Sequence, residues 1–336
     1  MRNESLGACP VCSATARTVL HADLADDTFR AVPGTWTLWR CAGCAAAYLD
    51  PRPDRATIAE AYQSYYTHGT VPALRLSWRG RIRERMENGY LHAQYGADRQ
   101  PRSAFGGLLY RLLLPYKHMS DVAWRHLPGP GRGRRLLDVG CGNGSFLAQA
   151  RTCGWSVEGV DPDAAAAAEA TRRGMPVRVG GLELYAGQAA CFDLITLSHV
   201  IEHVHDPMAT LADCHRLLKP GGRLWIATPN IDSDGHAFFG RHWRGLEAPR
   251  HLVLFNEPVL RQALHRAGFT ASHRLPPQML EPLAIARASH AMAQGKLPLD
   301  ATVRLPARLR WAAWRMAACA WLQPTRSEFL FITAVR

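Results

Sequence analysis

A chain of 336 residues with 47% hydrophobic residues and a formal net charge of +12 is long enough for one large domain plus a smaller one. It is apolar enough to bury a core, which excludes a disordered or low-complexity protein. The first ten residues lack the apolar centre of a secretory signal, and no apolar run is long enough to span a bilayer without charges, so a cytoplasmic protein is expected. The positive charge is nearly all arginine, with lysine only at Lys117, Lys219 and Lys296. Such a bias can follow genomic base composition, so it says little about an anionic partner.

Residues 1–55 carry two short cysteine pairs, Cys9-Pro-Val-Cys12 and Cys41-Ala-Gly-Cys44, with 28 residues between them. Two such knuckles supply four thiolates, the donor set of a closed, structural tetrahedral zinc site, and a zinc-ribbon-like domain is expected. A redox pair is the alternative. A short, loop-rich zone needs such a staple to fold. Residues 56–130 are rich in aromatic residues and arginine, with helices expected at 73–95 and 106–127 as a helical cap. Pro128-Gly-Pro-Gly-Arg-Gly133 then reads as a linker.

From 131 to 336 strand and helix patterns alternate. Strands are expected at 135–139, 156–160, 177–179, 192–198, 223–228, 270–275 and 328–335. Helices are expected at 145–153, 164–173, 208–218 and 258–267, with Lys219-Pro-Gly-Gly222 as a stop. This is the pattern of a doubly wound α/β sheet, a Rossmann-like fold that binds ligands at the carboxyl ends of its strands. Long connections at 230–256 and 276–326 are expected to act as lids.

Asp138-Val-Gly-Cys-Gly-Asn-Gly144 joins the first of these strands to the first helix. Gly140, Gly142 and Gly144 allow a sharp turn and close approach of a ligand. Asp161 ends the second strand, where a carboxylate can accept both hydroxyls of a ribose. Leu137–Ser145, Gly159-Val-Asp161, Phe192–Val204 and Leu218–Arg223 together resemble the class I S-adenosylmethionine (SAM) dependent methyltransferases. The resemblance covers about residues 135–336. It implies SAM as cofactor, with Asp138 and the glycine loop facing its methionine part and Asp161 its ribose. It places Gly181 and Leu182 near the adenine and Ser198 near the sulfonium. Glu202-His203 and the stretch from His242 to His251 are similar to the ubiquinone-pathway O-methyltransferases and to enzymes of polysaccharide and lipid clusters. Those ubiquinone enzymes have an acidic residue where this chain has His199, so a metal role there is not carried over.

Methyl transfer to a hydroxyl needs a base, and His203 is the candidate, with Glu202 to orient it. If the turn after Ser198 is helical, His199 faces the same way and helps; these residues could instead cap the next helix. Trp243, Arg250 and His251 are candidate substrate contacts, Arg250 as a clamp for phosphate or carboxylate, unless they only pack the lid. No Asn-Pro-Pro-Tyr-type segment follows the fourth strand, which argues against base N-methylation. Zinc knuckles also precede some sugar C-methyltransferases and one rRNA methyltransferase type, whose histidine-containing second pair is absent here.

The expected function is SAM-dependent methylation of a hydroxyl or carbon on a sugar, glycolipid or related small metabolite. One alternative is an RNA methyltransferase that grips phosphates with the basic zone 75–135. Another is a non-catalytic SAM-binding scaffold. Between 306 and 322 Trp311, Trp314, Ala318 and Trp321 share a helical face flanked by Arg308, Arg310 and Arg315. Such a face suits a substrate lid or a peripheral membrane contact, and Leu108–Leu114 carries the same ambiguity.

Overall fold

The computed structural model describes residues 1–62 and 77–336. It divides into two compact units. The first comprises Met1–Tyr65, Ser198–His215 and Ile226–Ala334; the second comprises Tyr66–Leu197, Arg216–Trp225 and Val335–Arg336. These units do not follow the zones 1–55, 56–130 and 131–336. The boundary at 128–133 falls inside the second unit, and the cysteine zone shares the first unit with much later sequence.

In chain order, β1 (Asn3–Glu4) pairs antiparallel with β5 (Arg52–Pro53), and between them run β2 (Arg17–Leu24), β3 (Trp36–Cys41) and β4 (Ala47–Leu49). Then come α1 (Trp78–Tyr95), α2 (Ala104–Tyr110) and α3 (Leu114–Ala123). The start of the helix expected at 73–95 lies outside the described residues. From Trp78 the helix is capped by the Ser77 hydroxyl, which accepts from the Gly80 amide, and stopped by left-handed Gly96. The single helix expected at 106–127 is two helices. Pro115 has no amide hydrogen to continue a helix, so it sits in the first turn of a new one, and Leu113 leaves helical geometry. Helices α1 and α2 cross in close backbone contact: a Cβ on Gly89 would lie 2.0 Å from the Ser103 carbonyl oxygen.

The alternating part follows as β6 (Arg135–Val139), α4 (Ser145–Thr152), β7 (Ser156–Asp161), α5 (Ala164–Arg172), β8 (Val177–Val179), β9 (Phe192–Ser198), α6 (Pro207–Leu217) and β10 (Leu218–Pro229). It ends with α7 (Asp234–Phe239), β11 (Val253–Leu254), α8 (Glu257–Arg266), β12 (Ala271–Arg274), α9 (Glu281–Ala293), α10 (Ala307–Leu322) and β13 (Phe329–Val335). The seven-stranded sheet has the order β12-β13-β10-β9-β6-β7-β8, with β6 parallel to both β7 and β9, and β7 parallel to β8. The doubly wound α/β architecture is therefore present. Strand β10 starts five residues before the expected Arg223, because the Lys219–Gly222 turn joins the ladder: Gly222 accepts from the Arg336 amide at 3.0 Å.

The 230–256 connection is not a lid over open space. Its β11 pairs antiparallel with β4, completing a four-stranded sheet of order β11-β4-β3-β2. Trp36, Leu38, Leu49, Trp243, Leu246 and Leu254 share one buried core, so cysteine zone and connection fold as one body. Among the described residues no helix is long and apolar enough to cross a membrane.

Candidate functional sites

In the second unit the loop after β6 takes the conformation its glycines permit. Gly140, Gly142 and Gly144 all have left-handed φ, at 67°, 53° and 74°. Space around Gly142 is open, with nothing within 4 Å of an added Cβ, whereas a Cβ on Gly144 would press on Ala170 at 2.9 Å. One side of the loop is thus free for a ligand and the other is packed on α5. Asp161 ties the loop to the end of β7. One carboxylate oxygen accepts from the Gly142 amide at 2.7 Å and the other from the Asp163 amide at 2.9 Å.

Asp138 is fully buried at the end of β6. Its Oδ1 accepts from Arg125 and, at 2.8 Å, from the Thr196 hydroxyl; Arg125 also donates to Thr196 at 2.9 Å. Its Oδ2 is buried with no hydrogen-bond partner. A buried carboxylate oxygen is costly to leave unpaired. Burial pushes the Asp138 carboxyl up, against the pull of Arg125, and burial also pushes Asp161 up. An orphaned acceptor beside an open glycine turn fits a ligand carrying an ammonium group. Arg125 was not singled out from the sequence, because only the tertiary fold brings the end of the helical zone to β6. Leu182 is buried and opens a 3-10 turn, and the Gly181 amide donates to Glu183 at 2.6 Å.

In the first unit Ser198 ends β9 and His199 follows with left-handed φ of 55°, a strained backbone for a non-glycine residue. Residues 199–206 form turns and helix α6 begins at Pro207, so His199 and His203 do not share a helical face. Asp206 supplies the α6 cap instead, accepting from the Ala209 amide at 2.8 Å. Glu202 links the histidines. It is fully buried, contacts His199 Nδ1 at 3.3 Å and accepts from Thr228 at 3.0 Å. Burial alone would raise its pKa, yet His199, His203 and His251 hold it below the ordinary range. Donor atoms of Glu202, His203 and His251 all lie within 4.8 Å of one another.

His203 is half-buried, with Nδ1 3.1 Å from the Arg250 carbonyl and 2.9 Å from the Tyr62 hydroxyl. A carbonyl can only accept, so its contact calls for the proton on Nδ1 and leaves the Nε2 lone pair free. His251 packs edge-on against His203, with ring centroids 4.7 Å apart, and burial lowers its pKa to about 4, keeping it neutral. Its Nδ1 lies 2.8 Å from the Gly245 carbonyl.

Arg250 and Trp243 have structural surroundings, for a physical reason. Arg250 is completely buried; its guanidinium donates to Asp26, to Glu247 at 3.2 Å and to the Ala61 carbonyl at 2.9 Å. It is spent on protein groups and offers no free face for a substrate phosphate or carboxylate. Trp243 lies in the shared core and donates to Glu328 at 2.8 Å. Burial pushes Glu328 up to about 7, and burial together with Glu328 raises nearby Glu281.

The cysteine knuckles have matching geometry. In each, the first cysteine's amide donates five residues ahead, to Ala14 or Ala46, and its carbonyl accepts from the residue after the second cysteine. That residue is left-handed in both, Ser13 at 64° and Ala45 at 66°. Cys9 Sγ lies 3.7 Å from Cys44 Sγ and Cys12 Sγ 3.5 Å from Cys41 Sγ, with all four sulfurs within 4.8 Å of one another. None is in a disulfide. Bonds of about 2.3 Å in a zinc tetrahedron set sulfurs about 3.8 Å apart, so the donor set fits zinc. Amide hydrogen bonds bring Cys41 down to about 7 despite burial, while burial pushes Cys9 up to about 11.

Residues 114–273 match a family model described as a methyltransferase domain. A ubiquinone biosynthesis O-methyltransferase of Parvibaculum lavamentivorans is 36% identical over 115 residues, 32% of this chain and 46% of that protein. That of Maricaulis maris is 35% identical over 154 residues, 42% and 61%. The chain thus spans about half the length of the curated relatives it matches. A solved SAM dependent methyltransferase from Archaeoglobus fulgidus, 19% identical, covers 67% of this chain and 94% of its own, with a TM-score of 0.46. The match spans the glycine loop and strands β6 to β11, so residues 114–273 are similar to a methyltransferase domain.

Proposed function

We propose that the protein transfers a methyl group from SAM to a hydroxyl or carbon of a small acceptor, a sugar, glycolipid or related metabolite, with His203 as the base. The observation that carries this reading is the anchored His203 ring, whose Nδ1 contact with the Arg250 carbonyl frees Nε2 for a proton. When bound, SAM supplies an electrophilic methyl on a sulfonium. Asp138 Oδ2 would take its ammonium, Arg125 its carboxylate, the loop Gly140–Gly144 its methionine chain, Asp161 its ribose hydroxyls, and Gly181 and Leu182 its adenine, with Ser198 toward the sulfonium. Asp161 would exchange its amide partners in part for those hydroxyls. His203 accepts the acceptor's proton at Nε2, and buried Glu202, already anionic, stabilises the imidazolium that results. His199 tunes Glu202 rather than touching the proton. His251 is a neutral wall of the same cluster, while Arg250 and Trp243 hold the frame. Cys9, Cys12, Cys41 and Cys44 hold a structural zinc ion.

The test is transfer of radiolabelled methyl from SAM into extract of a strain lacking the gene, separated into lipid, small-molecule, RNA and protein fractions. Label in the lipid or small-molecule fraction supports the reading, and label in RNA alone sinks the acceptor class. With the acceptor in hand, His203→Ala should lower kcat about 10²–10⁴-fold with SAM affinity unchanged. Full turnover by that variant removes the base assignment.

A further inference from the structure

Helix α10 shows an inverted polarity. The residues it turns inward are small: Ala313, Ala317 and Ala320 are buried. Its large apolar side chains face solvent, with Trp311 74% exposed, Trp314 50%, Trp321 38% and Leu322 85%. An alanine face lets α10 lie against α9 and α7, its neighbours, without a deep apolar contact. A lid packed on the core would bury tryptophans and expose alanines. Exposed tryptophans at this density mark a surface that meets something else.

The charge around the helix says what that is. Residues 301–327 contain Arg304, Arg308, Arg310, Arg315 and Arg326 and no aspartate or glutamate; Arg326 is paired with Asp234 of α7, so the segment and this partner together carry +4. Arg308, Arg310 and Arg315 are exposed beside the tryptophans. Between α7 and α10 a cavity of about 470 Å³ adds Phe238, Met316 and Leu322 to the apolar surface, with Arg315 and the Arg326–Asp234 pair also lining it. Phe238 is itself 52% exposed. A second copy of the chain packed here about a two-fold axis would set this +4 against itself.

We propose that α10, with the adjoining groove, docks the protein on an anionic lipid bilayer. The helix lies along the interface, Trp311, Trp314 and Trp321 at the boundary of headgroups and acyl chains, and its arginines against lipid phosphates. The arrangement is independent of which acceptor the enzyme methylates.

The full chain should sediment with vesicles of phosphatidylglycerol and phosphatidylcholine, far less with phosphatidylcholine alone, and less as salt rises. Its tryptophan fluorescence should shift to the blue on binding. Trp311→Ser with Trp314→Ser, both at exposed positions, should weaken binding at least about tenfold, and Arg308→Gln or Arg310→Gln about fivefold each. Circular dichroism and thermal melting verify that each variant is folded. A folded wild-type chain that ignores anionic vesicles overturns the proposal. So does binding that survives the double tryptophan change, which would move the contact to the exposed leucines of α2 and α3. A lipid-free blue shift that tracks dimer formation in sedimentation equilibrium would assign the face to a second copy. A blue shift with single-stranded RNA but not with vesicles would assign it to nucleic acid.

Discussion

The glycine loop of the second unit and the histidine cluster of the first are assembled in opposite ways. The loop draws Asp138, Gly140, Gly142, Gly144 and Asp161 from one strand–turn–helix–strand segment, and its key contact, Gly142 to Asp161, spans 19 positions. The cluster draws Tyr62, Glu202, His203, Arg250 and His251 from separate parts of the chain, and its partners lie up to 141 positions apart. A local site depends on backbone conformations its own residues can adopt. A gathered site depends on everything that holds its segments together, which here includes the core that strands β2, β3 and β4 share with residues 231–254. Damage should therefore stay local in the first case and spread in the second.

The largest effect should follow removal of the zinc ion proposed at Cys9, Cys12, Cys41 and Cys44. Structural zinc in small domains contributes on the order of 10 kcal/mol of folding free energy. Because β4 pairs with β11 and Trp36 packs in the core that holds Trp243, chelation should expose residues 226–334 to protease along with residues 1–55. If only the first 55 residues become sensitive, the contrast between the two regions fails.

Arg250→Met comes next. It would leave Asp26 a buried carboxylate without its cation, while Glu247 keeps Arg244, at a cost of about 3–5 kcal/mol in urea denaturation. A substrate clamp would instead raise KM and leave stability alone, so one pair of measurements separates frame from contact.

A pH effect of similar or smaller size should come from His251. Burial holds it neutral down to about 4, against 6.5 for the free side chain. As pH falls below 6.5 the unfolded chain takes up a proton that the folded chain refuses. Stability present above 6.5 is thus lost progressively down to about 4, on the order of 3 kcal/mol in all. Glu328, raised to about 7, acts in the opposite sense between about 4.5 and 7. His251→Asn, compared with wild type across that range, isolates the histidine: the variant's denaturation midpoint should depend less on pH. Equal slopes would remove His251 as a source.

The smallest effect on folding should be Gly142→Ala, where space is open and only the left-handed φ is costly, about 1–2 kcal/mol. SAM affinity, measured by calorimetry, should fall while the first unit keeps its protease pattern. Gly144→Ala should cost more, since its Cβ would meet Ala170.

The strands and helices around the seven-stranded sheet, to within a few residues, the glycine loop with Asp161 and the two knuckles were all legible in the amino-acid order. In each case the signal is local: apolar periodicity follows from burial on one face, a glycine run marks left-handed backbone, and CxxC spacing fixes two thiols on one turn. Even there Pro115 split an expected helix, because a single missing amide hydrogen outweighs a continuous apolar pattern. What the same residue types do when their partners are distant emerges from the folded chain alone. Arg250 has the composition of a phosphate clamp, and Trp243 that of a lid. Asp26 and Glu328, far away in the chain, turn both into framework by meeting them in a buried space where an unpaired charge or indole would be costly. For α10 the helical spacing of its tryptophans was legible, but not the direction they face. That depended on the alanine surface being the one able to approach α7 and α9 closely.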